Sequence, residues 1–283
     1  MKTYQAIMGV VAAVGGACNT EPAIVHWGKE EKLIQAIQDA LLKSVEAEKS
    51  AVLSTTDEES QTLANEAKGF ATEINRQRRD LRQLVTIDDD PAEIAQLDAF
   101  DAAWREFEDV DKHLLAQAVA NTNLKATRLA VSDGARVLDR FVDALVETQS
   151  SSADSELIRA ALVASVSALQ VQSLLMAHIP SPDDAEMGAL EERIEGLSGE
   201  TDRQLAVVGR TAASRSPEAP AAAVRAWSEY RPIVAEVLRL SRQNTNVLSF
   251  DVSVHEKRRV TKDCLSALAA LLETIESVRT GTR

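Results

Sequence analysis

The residues best suited to binding chemistry are two copies of the triplet Asn-Thr-Asn. Amide and hydroxyl side chains both donate and accept hydrogen bonds, so each copy could contact a polar ligand. Each copy could equally form a buried polar layer that fixes helix register or bonds backbone carbonyls. We favour the structural role and keep ligand binding as the alternative. The six candidate residues are Asn121, Thr122, Asn123, Asn244, Thr245 and Asn246.

Catalytic and metal-binding chemistry has little support in the sequence. The chain contains no G-x-S-x-G, C-x-x-C, H-E-x-x-H or glycine-rich phosphate loop. The histidines fall in separate predicted elements, without the paired spacing of a metal-binding helix, and are His26, His113, His178 and His255. Acidic runs such as Asp88–Asp90 are typical of helix caps. We therefore expect a protein that is not an enzyme and has no metal or cofactor.

The N-terminal segment has the pattern of an export signal. An apolar run, Ala6–Ala17, ends at Cys18 and is too short to span a bilayer as a helix. The sequence Gly-Gly-Ala-Cys resembles the lipobox of bacterial lipoproteins, although Gly15 stands where that motif usually has Leu. We expect lipid on Cys18 and a periplasm-facing position in the bacterial cell envelope, with membrane contact only through this anchor. A soluble export signal cut after Ala17 is the alternative.

Helical periodicity dominates the rest of the chain and predicts an all-α fold. Only 11 Gly and 7 Pro interrupt it, and aromatic residues make up 4%. In the first half, apolar residues recur at three- and four-residue steps between turn signals. The third helix is expected to run to about Leu129, where "VSDGA" (131–135) separates it from a fourth. Short connections between the four helices predict an antiparallel bundle.

The second half repeats the first at an offset of 123 residues. Trp104 and Trp227 share this spacing, as do Phe107 and Tyr230 and the two triplets. The repeat predicts two tandem antiparallel four-helix bundles. The expected divisions are an export signal and tether (1–27), a first bundle (28–150) and a second bundle (151–283). The Ser-rich joint, 147–156, could be a loop or a continuous helix.

Two stretches carry a resemblance to a known family. The pattern W-x-x-F-x(13)-N-T-N-L-K-A-x-x-L begins at Trp104, and "VEAEKSAVLSTTDEES" occupies 45–60. Both resemble the extracytoplasmic four-helix-bundle sensory domains of methyl-accepting chemotaxis receptors. The resemblance covers 28–148 directly and 151–279 through the repeat. It implies sensing, in which a small ligand or a partner docks on the bundle and shifts its helices.

The net charge and the lack of a counterpart to that family's signalling module both limit the functions that we expect. The net charge of −13, without a basic face, argues against nucleic-acid binding. The short basic runs 76–79 and 257–259 are expected to be solvated helix faces. No counterpart of the family's signalling module follows, so we expect any signal to pass to a partner, either a second copy or a membrane receptor. The helix-one face around Leu33–Val52 is the predicted docking surface.

Two functions from different classes follow. The first is a non-enzymatic sensory-type protein that binds a small-molecule ligand or a receptor partner. The alternative is a structural or scaffolding cell-envelope lipoprotein without a small-molecule ligand. A polar, partly charged cavity in one bundle would favour the first function, whereas an apolar core with an exposed apolar stripe would favour the second. Trp104, Trp227 and Cys264 are expected to be core residues.

Overall fold

A computed structural model describes residues 23–212 and 218–281, and these residues are almost entirely helical, with no strand among them. The all-α prediction is therefore confirmed. The apolar N-terminal run and Cys18 lie outside the described residues, so the export signal and its lipidation stay predictions.

The described chain forms ten α-helices and two short π-helical segments. The α-helices are α1 (Ala23–Leu53), α2 (Asp57–Asp88), α3 (Pro91–Ala120), α4 (Thr122–Leu129), α5 (Ala135–Ser150), α6 (Ser155–His178), α7 (Asp184–Ala212), α8 (Glu218–Gln243), α9 (Thr245–Val252) and α10 (Arg258–Thr280). The π segments, Ala130–Gly134 and Ser253–Lys257, join α4 to α5 and α9 to α10 without leaving helical geometry. Each joined pair is thus one long helix with a π-bulge.

Helix starts follow the turn signals in the sequence. The Thr56 hydroxyl accepts a hydrogen bond from the Glu59 amide at 3.1 Å and caps α2. Asp90 caps α3 by accepting from the Ala92 amide at 2.7 Å, with Pro91 in the first helical turn. Such side-chain acceptors satisfy backbone donors that have no partner inside the helix.

The joint between the two halves is a short loop rather than a continuous helix. Helix α5 ends at Ser150, and α6 begins at Ser155. Asp154 caps α6 by accepting from the amides of Glu156 and Leu157 at 3.0 and 3.3 Å. A side chain that caps the new helix competes with continuation of the old one, which explains the break.

The third helix ends nine residues earlier than its periodicity predicts, at Ala120. Asn121 adopts a left-handed conformation (φ 51°) and ends α3, and Asn244 does the same for α8. "VSDGA" does not break the helix, because its first four residues lie in the first π-bulge and Ala135 begins α5. Asn tolerates positive φ better than most other non-glycine residues. The helix therefore bends at Asn121 and not at Gly134.

The helix after each triplet packs against the opposite half of the chain. Helix α10 packs against α1 and α3, whereas α5 packs against α6 and α8. We call α1, α2, α3 and α10 the first bundle, and α5, α6, α7 and α8 the second bundle. The expectation that 28–150 and 151–283 each form a complete bundle therefore differs from the observed packing. The bend at Asn121 directs α4 away from α3 and onto α8. It thereby explains why the helix after each triplet packs in the bundle of the other half of the chain, an arrangement that we call the exchange.

The two main cores reflect this exchange. Ile34, Leu81 and Trp104 share the first core with Val260, Cys264 and Leu268 of α10. Phe141 and Leu145 of α5 share the second core with Trp227 and Tyr230. Both tryptophans and Cys264 are buried, as predicted. Burial raises the pKa of the Cys264 thiol to about 12, which makes it an unreactive packing residue.

One described helix, α6, has the length and apolar composition of a membrane span. Half of its most apolar window is buried inside the protein, where Ala160, Ala164 and Ala168 enter the second core. The outer face carries Leu162, Val166, Leu169 and Met176, all exposed. Helix α6 thus has one apolar face buried in the second core and another apolar face on the protein surface.

Candidate functional site

The two triplets meet each other, and we call this contact the triplet junction (121–123 and 244–246). The Thr122 amide donates to the Thr245 hydroxyl at 3.1 Å, and the Thr245 amide donates to the Thr122 hydroxyl at 3.2 Å. The amides of Asn123 and Asn246 donate in the same reciprocal way to each other's side-chain oxygens, both at 3.1 Å. Side chains of one half thus satisfy the free amides at the helix start of the other half.

Hydrogen bonds donated by the asparagine side chains connect the triplet junction to the second bundle. Asn123 Nδ2 donates to the Ile179 carbonyl at 2.6 Å and to Asn244 Oδ1 at 2.7 Å. Asn244 Nδ2 donates to the Ser181 carbonyl at 3.0 Å. Asn246 Nδ2 donates to Asn121 Oδ1 at 2.9 Å. The junction therefore holds the α6–α7 turn as well as both crossing helices.

The structure brings all six candidate residues, from both triplets, into one place. Asn121, Thr122, Asn123 and Asn244 are buried, and hydrogen bonds within the protein use their polar side-chain atoms, except Asn121 Nδ2, which has no acceptor among the described residues. A ligand would have to break these bonds to reach them. The geometry supports the structural role of the triplets, and ligand contact there stays an untested alternative.

A buried charged layer lies in the first bundle at the π-bulge Ser253–Lys257. It consists of Glu48 on α1, Asp111 on α3 and Lys257, and at most 5% of any of these residues is exposed. The Lys257 ammonium forms an ion pair with Asp111 and lies over the Phe107 ring, 3.2 Å from its centroid. Neither oxygen of Glu48 accepts a well-formed hydrogen bond. Such burial of charge is costly unless each group is compensated.

The electrostatics of this charged layer favour a neutral Glu48. Burial raises the pKa of Glu48, although the Ser253 hydroxyl and the Lys257 ammonium act in the opposite direction. Burial also lowers the pKa of Lys257, while Asp111 opposes that shift. One ammonium cannot neutralise two carboxylates, so a protonated Glu48 beside the Lys257–Asp111 pair leaves the layer without net charge.

The corresponding layer of the second bundle contains no charged residue. Gln172 lies where Glu48 lies, at an offset of 124, and Tyr230 takes the place of Phe107. The Tyr230 hydroxyl donates to Gln172 Oε1 at 2.6 Å. Gly134 replaces Lys257, and a side chain there would begin 3.7 Å from the Tyr230 ring and 3.3 Å from the Leu129 carbonyl. A neutral hydrogen bond therefore fills the same position at which the first bundle places three ionisable groups.

A surface cleft adjoins the charged layer between α2 and α3. Its volume is about 360 Å³, which suits a small molecule. Phe107 and Asp111, which both contact Lys257, form part of its wall. The remaining wall combines charged and apolar side chains from Lys68, Ala71, Glu108, Lys112, Leu115 and Ala116. We call this feature the α2–α3 cleft.

Sequence reasoning missed the charged layer because Lys257 lies in a short basic run. That run was expected to be a solvated helix face, and for Lys257 the expectation is wrong, since its side chain is fully buried. The π-bulge explains the difference, because one extra residue per turn rotates the lysine inward. The available signal was the presence of Gln172 and Gly134 at the offsets of 124 and 123 residues from Glu48 and Lys257.

A second buried polar network surrounds His178 at the end of α6. Its Nδ1 lies 2.8 Å from the Ser241 hydroxyl, and its Nε2 lies 3.0 Å from Glu191. Arg242 also binds Glu191, at 2.6 Å, and holds the pKa of that carboxyl below its usual value. Every polar atom of the imidazole therefore has a partner, which makes His178 a structural residue beside the triplet junction.

No family model, curated protein or solved structure matches the chain.

Proposed function

We propose that the protein is a non-enzymatic sensory-type binding protein whose ligand occupies the α2–α3 cleft of the first bundle. The observation that carries this proposal is the difference between the two layers. The second bundle fills the position with Gln172, Tyr230 and Gly134, so a stable core there does not require buried charge. Ionisable groups that stay buried despite the free-energy cost of burying charge are candidates for a functional role.

The cleft chemistry defines a class of ligand. Lys68 and Lys112 offer cationic donors, and Glu108 offers an anionic acceptor, beside the apolar edge of Phe107. A small zwitterion or organic acid with an apolar portion would match this wall. Binding next to Asp111 would alter its pairing with Lys257, which lies at the π-bulge of the crossing helix. This connection offers a route from the cleft to α10.

The resemblance to chemotaxis-receptor sensory domains and the internal duplication both belong to this proposal. Several features at a 123-residue offset support duplication: the reciprocal bonds of the triplets, the left-handed Asn121 and Asn244, and the two π-bulges. Trp104 and Trp227 each donate an indole N–H to the preceding helix, to Asn75 and Asp202 respectively. We also keep export and lipidation at Cys18 as proposals, which the mass of the native N-terminus checks.

The proposal is tested by thermal denaturation in the presence of amino acids and small organic acids. A specific ligand at about 100 times its Kd adds about 2.7 kcal/mol to the free energy of unfolding. Lys112→Ala should remove most of that increase, because Lys112 lies on the cleft wall. Lys262→Ala, at an exposed position of α10, is the matched control and should retain it. Equal loss in both variants would contradict binding in the cleft.

The scaffolding alternative is supported by a different observation. Leu162, Val166, Leu169 and Met176 form an exposed apolar stripe along α6. By contrast, the face predicted for docking, around Leu33–Val52, is largely committed to the core, and its exposed large apolar residue is Leu42. A protein partner therefore has more apolar surface available on α6 than on α1.

A further inference from the structure

The far end of the first bundle brings together three side chains of metal-binding type. His26 and Glu30 lie one turn apart on α1, and Asp88 lies at the end of α2. One nitrogen or oxygen atom from each residue lies within 4.8 Å of those of the other two. His26 Nδ1 is 2.7 Å from Asp88 Oδ1. A metal ion between such donors would need only small side-chain movements, because zinc ligands lie about 2.0–2.2 Å from the ion.

Glu30 is the least explained member of this cluster. Its side chain is fully buried, and neither oxygen accepts a hydrogen bond from a described residue. The carboxylates of Asp88 and the buried Glu93 lie near it and add negative potential. Burial and these charges together raise the pKa of Glu30 to about 8. A buried carboxyl group that accepts no hydrogen bond at either oxygen is poorly compensated, and a bound cation would supply the missing interaction.

We propose that His26, Glu30 and Asp88 form a binding site for a divalent transition-metal ion of the Zn²⁺ class. An imidazole nitrogen with two carboxylates suits zinc and its neighbours, whereas Ca²⁺ and Mg²⁺ prefer sites built from oxygen alone. The spacing of four residues places His26 and Glu30 on one face of α1, towards Asp88 of α2. The ion would join α1 to α2 at the end of the first bundle opposite the triplet junction.

No motif in the sequence predicts this site. His26 precedes Glu30 by four residues, but Asp88 is 58 residues further along the chain from Glu30. The pairing depends on the antiparallel packing of α1 against α2. The acidic run containing Asp88 was expected to serve only in capping, and its Asp90 does cap α3.

The proposal is tested by calorimetric titration of Zn²⁺ into the purified, chelator-treated chain. We expect one saturable site, with His26→Asn and Glu30→Gln each weakening the affinity at least tenfold. The matched control is His255→Asn, which removes the imidazole from an exposed pair, with Nε2 3.5 Å from Asp251 Oδ1. This control should bind Zn²⁺ as the wild type does.

A spectroscopic measurement separates ligation from an indirect effect on folding. Co²⁺ bound by nitrogen and oxygen ligands absorbs visible light, and this absorption should appear in the wild type and be lost in His26→Asn. Circular dichroism establishes that each variant remains helical. Absence of saturable Zn²⁺ binding in the wild type would overturn the proposal. Unchanged affinity in a folded Glu30→Gln variant would also overturn it.

Discussion

At the scale of single residues, Asn123 connects more parts of the molecule than any other triplet side chain. Its amide nitrogen reaches Ile179 and Asn244, and its oxygen accepts from the Asn246 amide. Asn246 makes the reciprocal backbone bond and a bond to Asn121, but its side chain is less buried. The two positions lie 123 residues apart in matching triplets but are not equivalent in burial.

Replacement of Asn123 should therefore destabilise the protein more than replacement of Asn246. Asn123→Ala leaves the buried Ile179 carbonyl and the Asn246 amide without their partners, which should cost about 1–3 kcal/mol of unfolding free energy. Asn246→Ala should cost less, because water can reach part of that position. Chemical denaturation measures both. Asn65→Ala, at an exposed helical site, is the control, and a change below about 0.5 kcal/mol at Asn123 would contradict the structural role.

Glu30 should make stability depend on pH. Above its ordinary pKa of 4.5 the unfolded chain releases the Glu30 proton, whereas the folded protein keeps it until about pH 8. The unfolded state then binds fewer protons, so this residue lowers stability as the pH rises from about 4.5 to 8. The groups that face it are His26, Asp88 and Glu93.

In the absence of metal, Glu30→Gln should flatten this pH dependence. The variant should exceed the wild type by a few kcal/mol at pH 8 and by little at pH 4.5. Urea denaturation at several pH values measures the difference, with the exposed Glu66→Gln as the control. Parallel pH profiles for Glu30→Gln and the wild type would show that Glu30 ionises normally in the folded protein.

At the scale of helices, the sequence predicted where most helices begin but not which helices pack against each other. Thr56 and Asp90 cap their helices as their residue types suggest. The partner of α4 could not be read from local sequence, because a bend at Asn121 is compatible with either folding back on α3 or crossing to α8. Long-range hydrogen bonds of the triplet junction decide between these arrangements.

The packing of α5 and α10 predicts opposite effects for substitutions at two leucines that lie 123 residues apart. Leu268 of α10 lies in the first core, so Leu268→Ala should speed hydrogen exchange mainly in α1–α3. Leu145 of α5 lies in the second core, so Leu145→Ala should act mainly on α6–α8. Each variant serves as the control for the other. Destabilisation confined to the contiguous half of the chain in each case would contradict the exchange.

At the scale of the whole molecule, the exposed stripe on α6 bears on self-association. We propose that self-association, one of the two predicted interactions, uses this face instead of the predicted helix-one face, because a two-fold axis would set Leu162 and Leu169 of one copy against the same stripe of the other. The helix-one face around Leu33–Val52 offers less apolar surface.

Light scattering over a concentration series tests the homodimer. Substitution of Leu162→Lys together with Leu169→Lys should shift the protein towards monomer by at least tenfold in Kd, since it places charge in an apolar contact. Leu42→Lys, at an isolated exposed position of α1, should leave association unchanged. A monomeric wild type at high micromolar concentration would contradict self-association through α6.

Neither the charged layer nor the α2–α3 cleft was predicted from the sequence. The triplets and the repeat were visible as patterns, whereas the burial of Lys257 depends on a π-bulge and on a helix from the far end of the chain. Neither can be derived from local periodicity. The neutral layer of the second bundle shows which residues can replace the charged layer of the first bundle. The role of the charged layer can therefore be tested directly by substitution.

The most direct test compares ligand stabilisation in the wild type and in a variant that carries the second bundle's neutral layer. The combined substitutions are Glu48→Gln, Phe107→Tyr, Asp111→Val and Lys257→Gly, of which Asp111→Val copies Val234 at the offset of 123 residues. Because Gln172 and Tyr230 form a stable layer in the second bundle, the variant should stay folded and helical. A ligand found in the screen of amino acids and organic acids should raise the Tm of the wild type and leave that of the variant unchanged. An equal rise in both proteins, or no ligand for the wild type in that screen, would contradict binding at the charged layer.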